Sequence, residues 1–253
     1  MKSGEATKAV LQIITDADVP ADHAAHLASF FAEKGVLTEQ TSVTPQTSAE
    51  AIDAYRNALR TDHPELPYFL YAEGHATYSV RAYLASRGDG LNGVILAGTG
   101  YVSPRAGALK VYGGKLRGLF GAGAHEEKDA AQALRKTMAD VCTDAHAAKL
   151  PKNLAVFLAS GAEDPAGDRG AGVRRVQEGM FTSGMTDISC KLYPDVAEDL
   201  FIKENADTFL ADVSAFIETH LDQTNVSSYA FNRAYDEKKA AEEKDYEIDQ
   251  ILI

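Results

Sequence analysis

The sequence predicts an α/β fold built on a mostly parallel central sheet with helices on both faces, and three observations lead there. Short apolar runs rich in β-branched and aromatic residues recur along the chain, at Ala9–Ile14, Pro67–Ala72, Leu91–Ala97, Asn153–Ala159 and Thr186–Tyr193, as strands buried on both faces require. Stretches with helical spacing of apolar residues separate them, and strand alternating with helix is the pattern of a parallel sheet. At 253 residues and 45% hydrophobic content, the chain is long enough for one such domain with a substantial core.

Each element has a local reason. Ala9–Ile14 is interrupted only by Gln12 and reads as a buried strand, followed by Thr15-Asp16-Ala17-Asp18. His23, Leu27, Phe30 and Phe31 share a helical stripe within Asp22–Lys34, and Gly35 follows as a natural C-cap. Val36–Val43 is more polar and suits a strand near a sheet edge. Ser48, Glu50, Ile52, Tyr55 and Leu59 set out a second amphipathic helix to about Thr61, with Pro64 and Pro67 marking the loop beyond it. Pro67–Ala72 then turns through Gly74 into a helix.

Residues 103–150 break the alternation. A glycine-rich stretch (Gly107, Gly113, Gly114, Gly118, Gly121, Gly123) leads into a helix expected over Glu126–Ala147. A further helix is expected near Gly170–Thr182. Phe209, Val213, Phe216, Ile217 and Leu221 form one stripe of a helix over Thr208–Leu221. The chain continues through a charged segment, 222–253, in which Ile248, Ile251 and Leu252 fall on one helical face. The expected organisation is a domain over 1–221 and a C-terminal helical extension over 222–253 that packs on its own domain or supports a homodimer.

A net charge of −12 argues against a nucleic-acid partner, which clustered Lys and Arg would have to hold. Cys142 and Cys190 have no metal-ligand spacing, and two cysteines suit a reduced, cytoplasmic chain. No apolar run approaches the length of a membrane span and no secretion signal is evident. Gly118-x-x-Gly121-x-Gly123 lacks dinucleotide-binding spacing, so no cofactor is expected. A metal set of Asp16, His75, Asp164 and Glu198 would rest on convergence of loops without any local motif, and no metal is expected either.

Gly74-His75-Ala76-Thr77-Tyr78 sits where strand meets helix, as G-x-S-x-G does in a nucleophile elbow. With the run Pro67–Pro104, the acid-bearing block Ser160–Asp168 and the block Lys191–Asp199, it resembles the α/β-hydrolase branch of monoacylglycerol lipases, lysophospholipases and serine aminopeptidases. That resemblance implies an α/β-hydrolase fold, a reduced cap over 105–150, a binding cleft at Thr15, Asp16, His75, Ala76, Thr77, Asp164 and Glu198, and a small hydrophobic or acyl ligand. It also implies a degenerate triad: Ala76 falls at the nucleophile position, Asp164 matches the acid, and Glu198 stands where the histidine belongs. No histidine occurs between His146 and His220, so shifting the third block does not restore the base. Asp16 follows the first strand where the family carries His-Gly, and a carboxylate there would oppose a developing oxyanion. The sequence thus points to a pseudoenzyme, not a hydrolase in its own right, that binds a small ligand or a protein partner. The alternative is an esterase-like or lipase-like hydrolase with an unorthodox nucleophile such as Thr77 or Ser79. A carboxylate pair of Asp164 with Glu198 is a weaker reading than two solvated loop acids.

Overall fold

A computed structural model describes residues 7–15, 19–43, 48–98, 126–165, 167–197 and 199–222. Six strands form one sheet in the order β2-β1-β3-β4-β5-β6: β1 Ala9–Thr15, β2 Val36–Ser42, β3 Tyr68–Glu73, β4 Gly93–Ala97, β5 Ala155–Gly161 and β6 Ile188–Tyr193. Every pairing is parallel. The helices are α1 Ala21–Ala32, α2 Ser48–Asp62, α3 Ala76–Arg87, α4 Glu126–Val141, α5 Asp144–Ala147, α6 Ala171–Thr182 and α7 Lys203–Thr219.

Two apolar layers account for the continuous hydrophobic runs. Leu11, Ile13, Phe69, Tyr71, Ile95 and Phe157 point to one face, where they meet α1 and α7 through Leu27, Phe31, Phe209, Val213 and Phe216. Val10, Ile14, Leu70, Val94, Leu96 and Val156 point to the other, against Ile52 of α2, Val80 and Leu84 of α3, and Val173 and Met180 of α6. Successive residues of a strand face opposite ways, so only apolar residues at both parities fill both layers.

Gln12 is the exception, and its burial is compensated. Its side chain is fully buried, donates from Nε2 to Thr41 Oγ1 of β2 at 2.8 Å, and accepts from the Tyr68 hydroxyl of β3 at 2.7 Å. A polar side chain in mid-strand is tolerable when both its ends are satisfied. Here it stitches β1 to both neighbours.

The expected strand at the sheet edge is β2. The helix expected over Glu126–Ala147 is instead two: α4 ends at Val141, and Thr143 caps α5 by accepting from the His146 N–H at 3.2 Å. A threonine side chain that competes for backbone donors ends one helix and starts the next. Residues 105–125 of the expected cap, and all of the C-terminal extension beyond residue 222, lie outside the described residues. Among the described residues no helix is long and apolar enough to cross a membrane.

The loop after β6 lies directly over the end of β5. Ala162 N–H donates to Tyr193 O and Glu163 N–H to Val196 O, both at 2.8 Å. Gly161 permits that approach: a Cβ there would run into the carbonyl oxygens of Val196 and Ala197 and lie 2.8 Å from the Val196 carbonyl carbon. Because the obstacle is backbone, no rotamer change relieves it. Gly161→Ala is expected to lower stability by about 3 kcal/mol, at the upper end of overpacking costs, read as a drop in the urea midpoint with an unchanged slope.

Candidate functional site

The chain adds β2 on one side of β1 and then crosses to add β3 on the other. Ligands of open α/β sheets bind at the carboxyl ends of the strands where the order reverses in this way. Here those ends are Thr15 of β1 and Glu73 of β3. Thr15 is buried, accepts from Gln40 Nε2 at 3.2 Å, and its carbonyl accepts from the Val43 N–H at 2.9 Å.

The strand-to-helix turn after β3 differs from the expected register by two residues. Gly74 alone in the turn has a left-handed backbone, φ 61°, whereas His75 is right-handed helical at φ −68° and Ala76 is the first residue of α3. Ala76 is buried among Val80, Leu70 and Ala72 on the α3 side of the sheet and does not stand above the strands. The bend is concentrated at Gly74, where a Cβ would meet only Val19 Cγ2, at 3.4 Å. Thr77 is fully buried, and its hydroxyl donates to the Gly74 carbonyl at 2.7 Å. Ser79 is buried within α3. The Thr77 hydroxyl is thus committed to the start of the helix, and Ser79 is shielded from solvent.

Asp164 is not a solvated loop acid. Its residue is fully buried at the end of β5, its carbonyl accepts from the Arg169 N–H at 2.8 Å, and Gly167 packs so closely that a Cβ there would lie 3.0 Å from Asp164 Oδ2. Asp16 and Glu198 lie outside the described residues, so the pairing of Asp164 with Glu198 and the four-residue metal set are not described. Among the described residues no group of three or more His, Cys, Asp and Glu side chains is placed to hold a metal ion.

A charged cluster beside the turn was not legible in the sequence. Glu73, the last residue of β3, is buried, and its two oxygens accept from His23 Nδ1 at 2.8 Å and from the Tyr71 hydroxyl at 2.9 Å. His23 comes from the first turn of α1 and stacks on Phe201 with ring centroids 4.4 Å apart. Its Nε2 faces Asp199 Oδ1 at 3.4 Å. Burial pulls the His23 pKa down, but the hydrogen bond and charge of Glu73, helped by Asp199 and Asp22, outweigh it and hold the pKa above 6.5. A glutamate closing an otherwise apolar and aromatic strand was the available signal, because a buried carboxylate needs a partner.

The helix that carries the turn is held from behind. Arg81 of α3 donates from Nη2 to the Val141 carbonyl at 2.5 Å, and His146 Nε2 donates to the Arg81 carbonyl at 3.0 Å. Burial, then the Arg81 charge, push the His146 pKa down to about 4. The neutral ring is therefore part of the folded state. Because the folded pKa lies below the ordinary 6.5, this contribution is complete above pH 6.5 and fades as pH falls towards 4. The partly exposed ring limits it to about 1–2 kcal/mol once solvent screening is allowed for. His146→Gln is expected to flatten the acid limb of stability against pH over that window, measured by urea unfolding at stepped pH.

Solved structures share this architecture at low sequence identity. The chain is similar to a thermostable carboxyl esterase from Bacillus coagulans in complex with glycerol (TM-score 0.69, 18% identity, 86% of this chain and 91% of that one). It is also similar to a monoacylglycerol lipase from Paleococcus ferrophilus (TM-score 0.63, 14% identity, 86% and 96%). A third likeness is to a soluble variant of monoglyceride lipase from Saccharomyces cerevisiae in complex with a substrate analog (TM-score 0.64, 10% identity, 87% and 89%). No family model matches the sequence, and no curated protein matches it. The fold is that of the α/β-hydrolase esterases and lipases.

Proposed function

We propose that this chain is a non-catalytic member of the esterase and lipase fold, which binds a small acyl or other hydrophobic ligand in the crevice at the carboxyl ends of β1 and β3. The observation that carries the reading is Gly74. A nucleophile elbow places its reactive side chain on the strained residue between strand and helix, and the residue with positive φ in that turn is a glycine. Ala72 and Ala76 stand two residues to either side of it, the spacing of the small residues in G-x-S-x-G. On this register the nucleophile position has no side chain at all.

The neighbouring hydroxyls do not replace it. Thr77 and Ser79 are buried in α3, and removing one member of a hydrolytic triad already costs several orders of magnitude in turnover. Ligand binding is supported by the place of the crevice in the topology and by the glycerol and substrate-analog complexes of two structural neighbours.

Three measurements test this. Purified protein is expected neither to label with a fluorophosphonate probe nor to hydrolyse short nitrophenyl esters, and Gly74→Ser is expected to leave it inactive because the base is missing too. Labelling or turnover that is lost in Thr77→Ala or Ser79→Ala overturns the reading. A thermal-shift series with fatty acids, monoacylglycerols and small amides is expected to yield a ligand that, near one hundred times its Kd, stabilises by about 2.7 kcal/mol. That corresponds to a rise in Tm of roughly 5–10 °C. A flat series removes the ligand from the reading.

A further inference from the structure

We propose that His23 is a pH-operated latch, which ties the Asp199–Phe201 segment to the end of β3 while both ring nitrogens carry protons and releases that segment when one proton is lost.

The two arms of the latch are unequal. The inner arm is short and buried: Nδ1 to Glu73 Oε1 is 2.8 Å, with Glu73 also accepting from Tyr71. The outer arm is longer, 3.4 Å from Nε2 to Asp199 Oδ1, and the Asp199 side chain is 47% exposed. Among the described residues, the charged groups acting on the ring are Glu73 from β3, Asp199 from the chain following β6, and Asp22 from its own helix. Phe201 covers one ring face, and His26, one turn along α1, stacks on the same phenyl ring at 6.2 Å.

A neutral imidazole has one N–H to share. Glu73 has little water to replace a lost donor, so the remaining proton stays on Nδ1 and the inner arm persists. Nε2 then turns a lone pair towards the Asp199 carboxylate. Two acceptors facing each other repel, and Asp199 is exposed enough to be solvated instead. Loss of the ring charge also weakens its attraction to the Phe201 π-face. The consequence is local: the segment after β6 loosens while β3 and α1 stay joined. Asp199 Oδ1 also accepts from the Phe201 N–H at 2.7 Å, so that amide reports directly on the outer arm.

The test follows His23 by its ring carbon-bound proton in NMR and Phe201 by amide exchange, in the full chain. His23 is expected to titrate with a midpoint above 6.5. Across that midpoint the protection factor of the Phe201 N–H, corrected for intrinsic exchange, is expected to fall by about tenfold or more, equivalent to losing one charge-assisted contact. Amides of β3 and β5 keep their protection. In Asp199→Asn an amide N–H can donate to the neutral Nε2, so Phe201 protection is expected to become independent of pH while His23 still titrates against Glu73. The proposal is overturned if His23 titrates without change at Phe201, or if Asp199→Asn shows the same pH-dependent fall. Loss of protection in β3 together with Phe201 overturns it as well, since that signals global unfolding.

Discussion

Everything at the carboxyl edge of the sheet depends on the chain crossing β1 between β2 and β3. Strand order reverses there, so the connections leaving β1 and β3 depart on opposite faces, α1 to one and α3 to the other. The strand ends are stepped together by backbone bonds alone: the Gly74 N–H donates to Ala97 O at 3.1 Å and the Gly98 N–H to Ala159 O at 3.0 Å. Glycines at these steps, with φ 61° and 85°, let one strand end turn beside the next without a side chain in the way. Topology alone therefore marks this edge, before any functional side chain is placed there, as the place where open α/β sheets bind their ligands.

The reversal also explains how a glutamate survives at the end of a buried strand. Glu73 faces the α1 side, and α1 begins at the carboxyl edge of β1, the strand next to β3, so a residue in its first turn reaches Glu73. His23 is that residue. An isolated buried carboxylate would be costly, but an imidazole N–H at 2.8 Å and a phenol at 2.9 Å satisfy both oxygens. Phe201 and Phe209 seal the cluster from the far side, edge to face with centroids 5.3 Å apart. The same aromatic wall continues to Tyr193 at the end of β6, so charge and packing at this edge are one structure.

Most of the fold was legible in the sequence because a parallel sheet covered on both faces demands apolar runs, and runs are visible without knowing what they touch. The six strands and the principal helices follow from that demand, with boundaries displaced by a few residues where side chains cap or compete. What could not be read was pairing at a distance. Gln12 looks like an interruption until Thr41 and Tyr68 are placed beside it, and His23 looks like one polar position on an amphipathic helix until Glu73 arrives from β3. The register of the turn after β3 was hidden for a different reason. Gly74-His75-Ala76 offers the spacing of an elbow beginning at Gly74, and only the backbone angles reveal that the bend itself falls on that glycine.

That placement bears on how the turn departs from the elbow pattern while the architecture does not. A side chain held at positive φ in a strand-to-helix turn costs of order 1–3 kcal/mol, a strain that active sites bear because the reactive group must stand clear of the sheet. Where no reactive group is needed, stability alone favours glycine at that position, since glycine adopts the same angles freely. The strands, the crossing over β1 and the two apolar layers carry no such conflict between stability and reactivity. They are what remains alike at 10–18% identity to esterases and lipases. A glycine at the bend, with a methyl group buried two residues later, is what stability alone favours at such a turn, and the proposed absence of hydrolytic chemistry rests on that pair of residues.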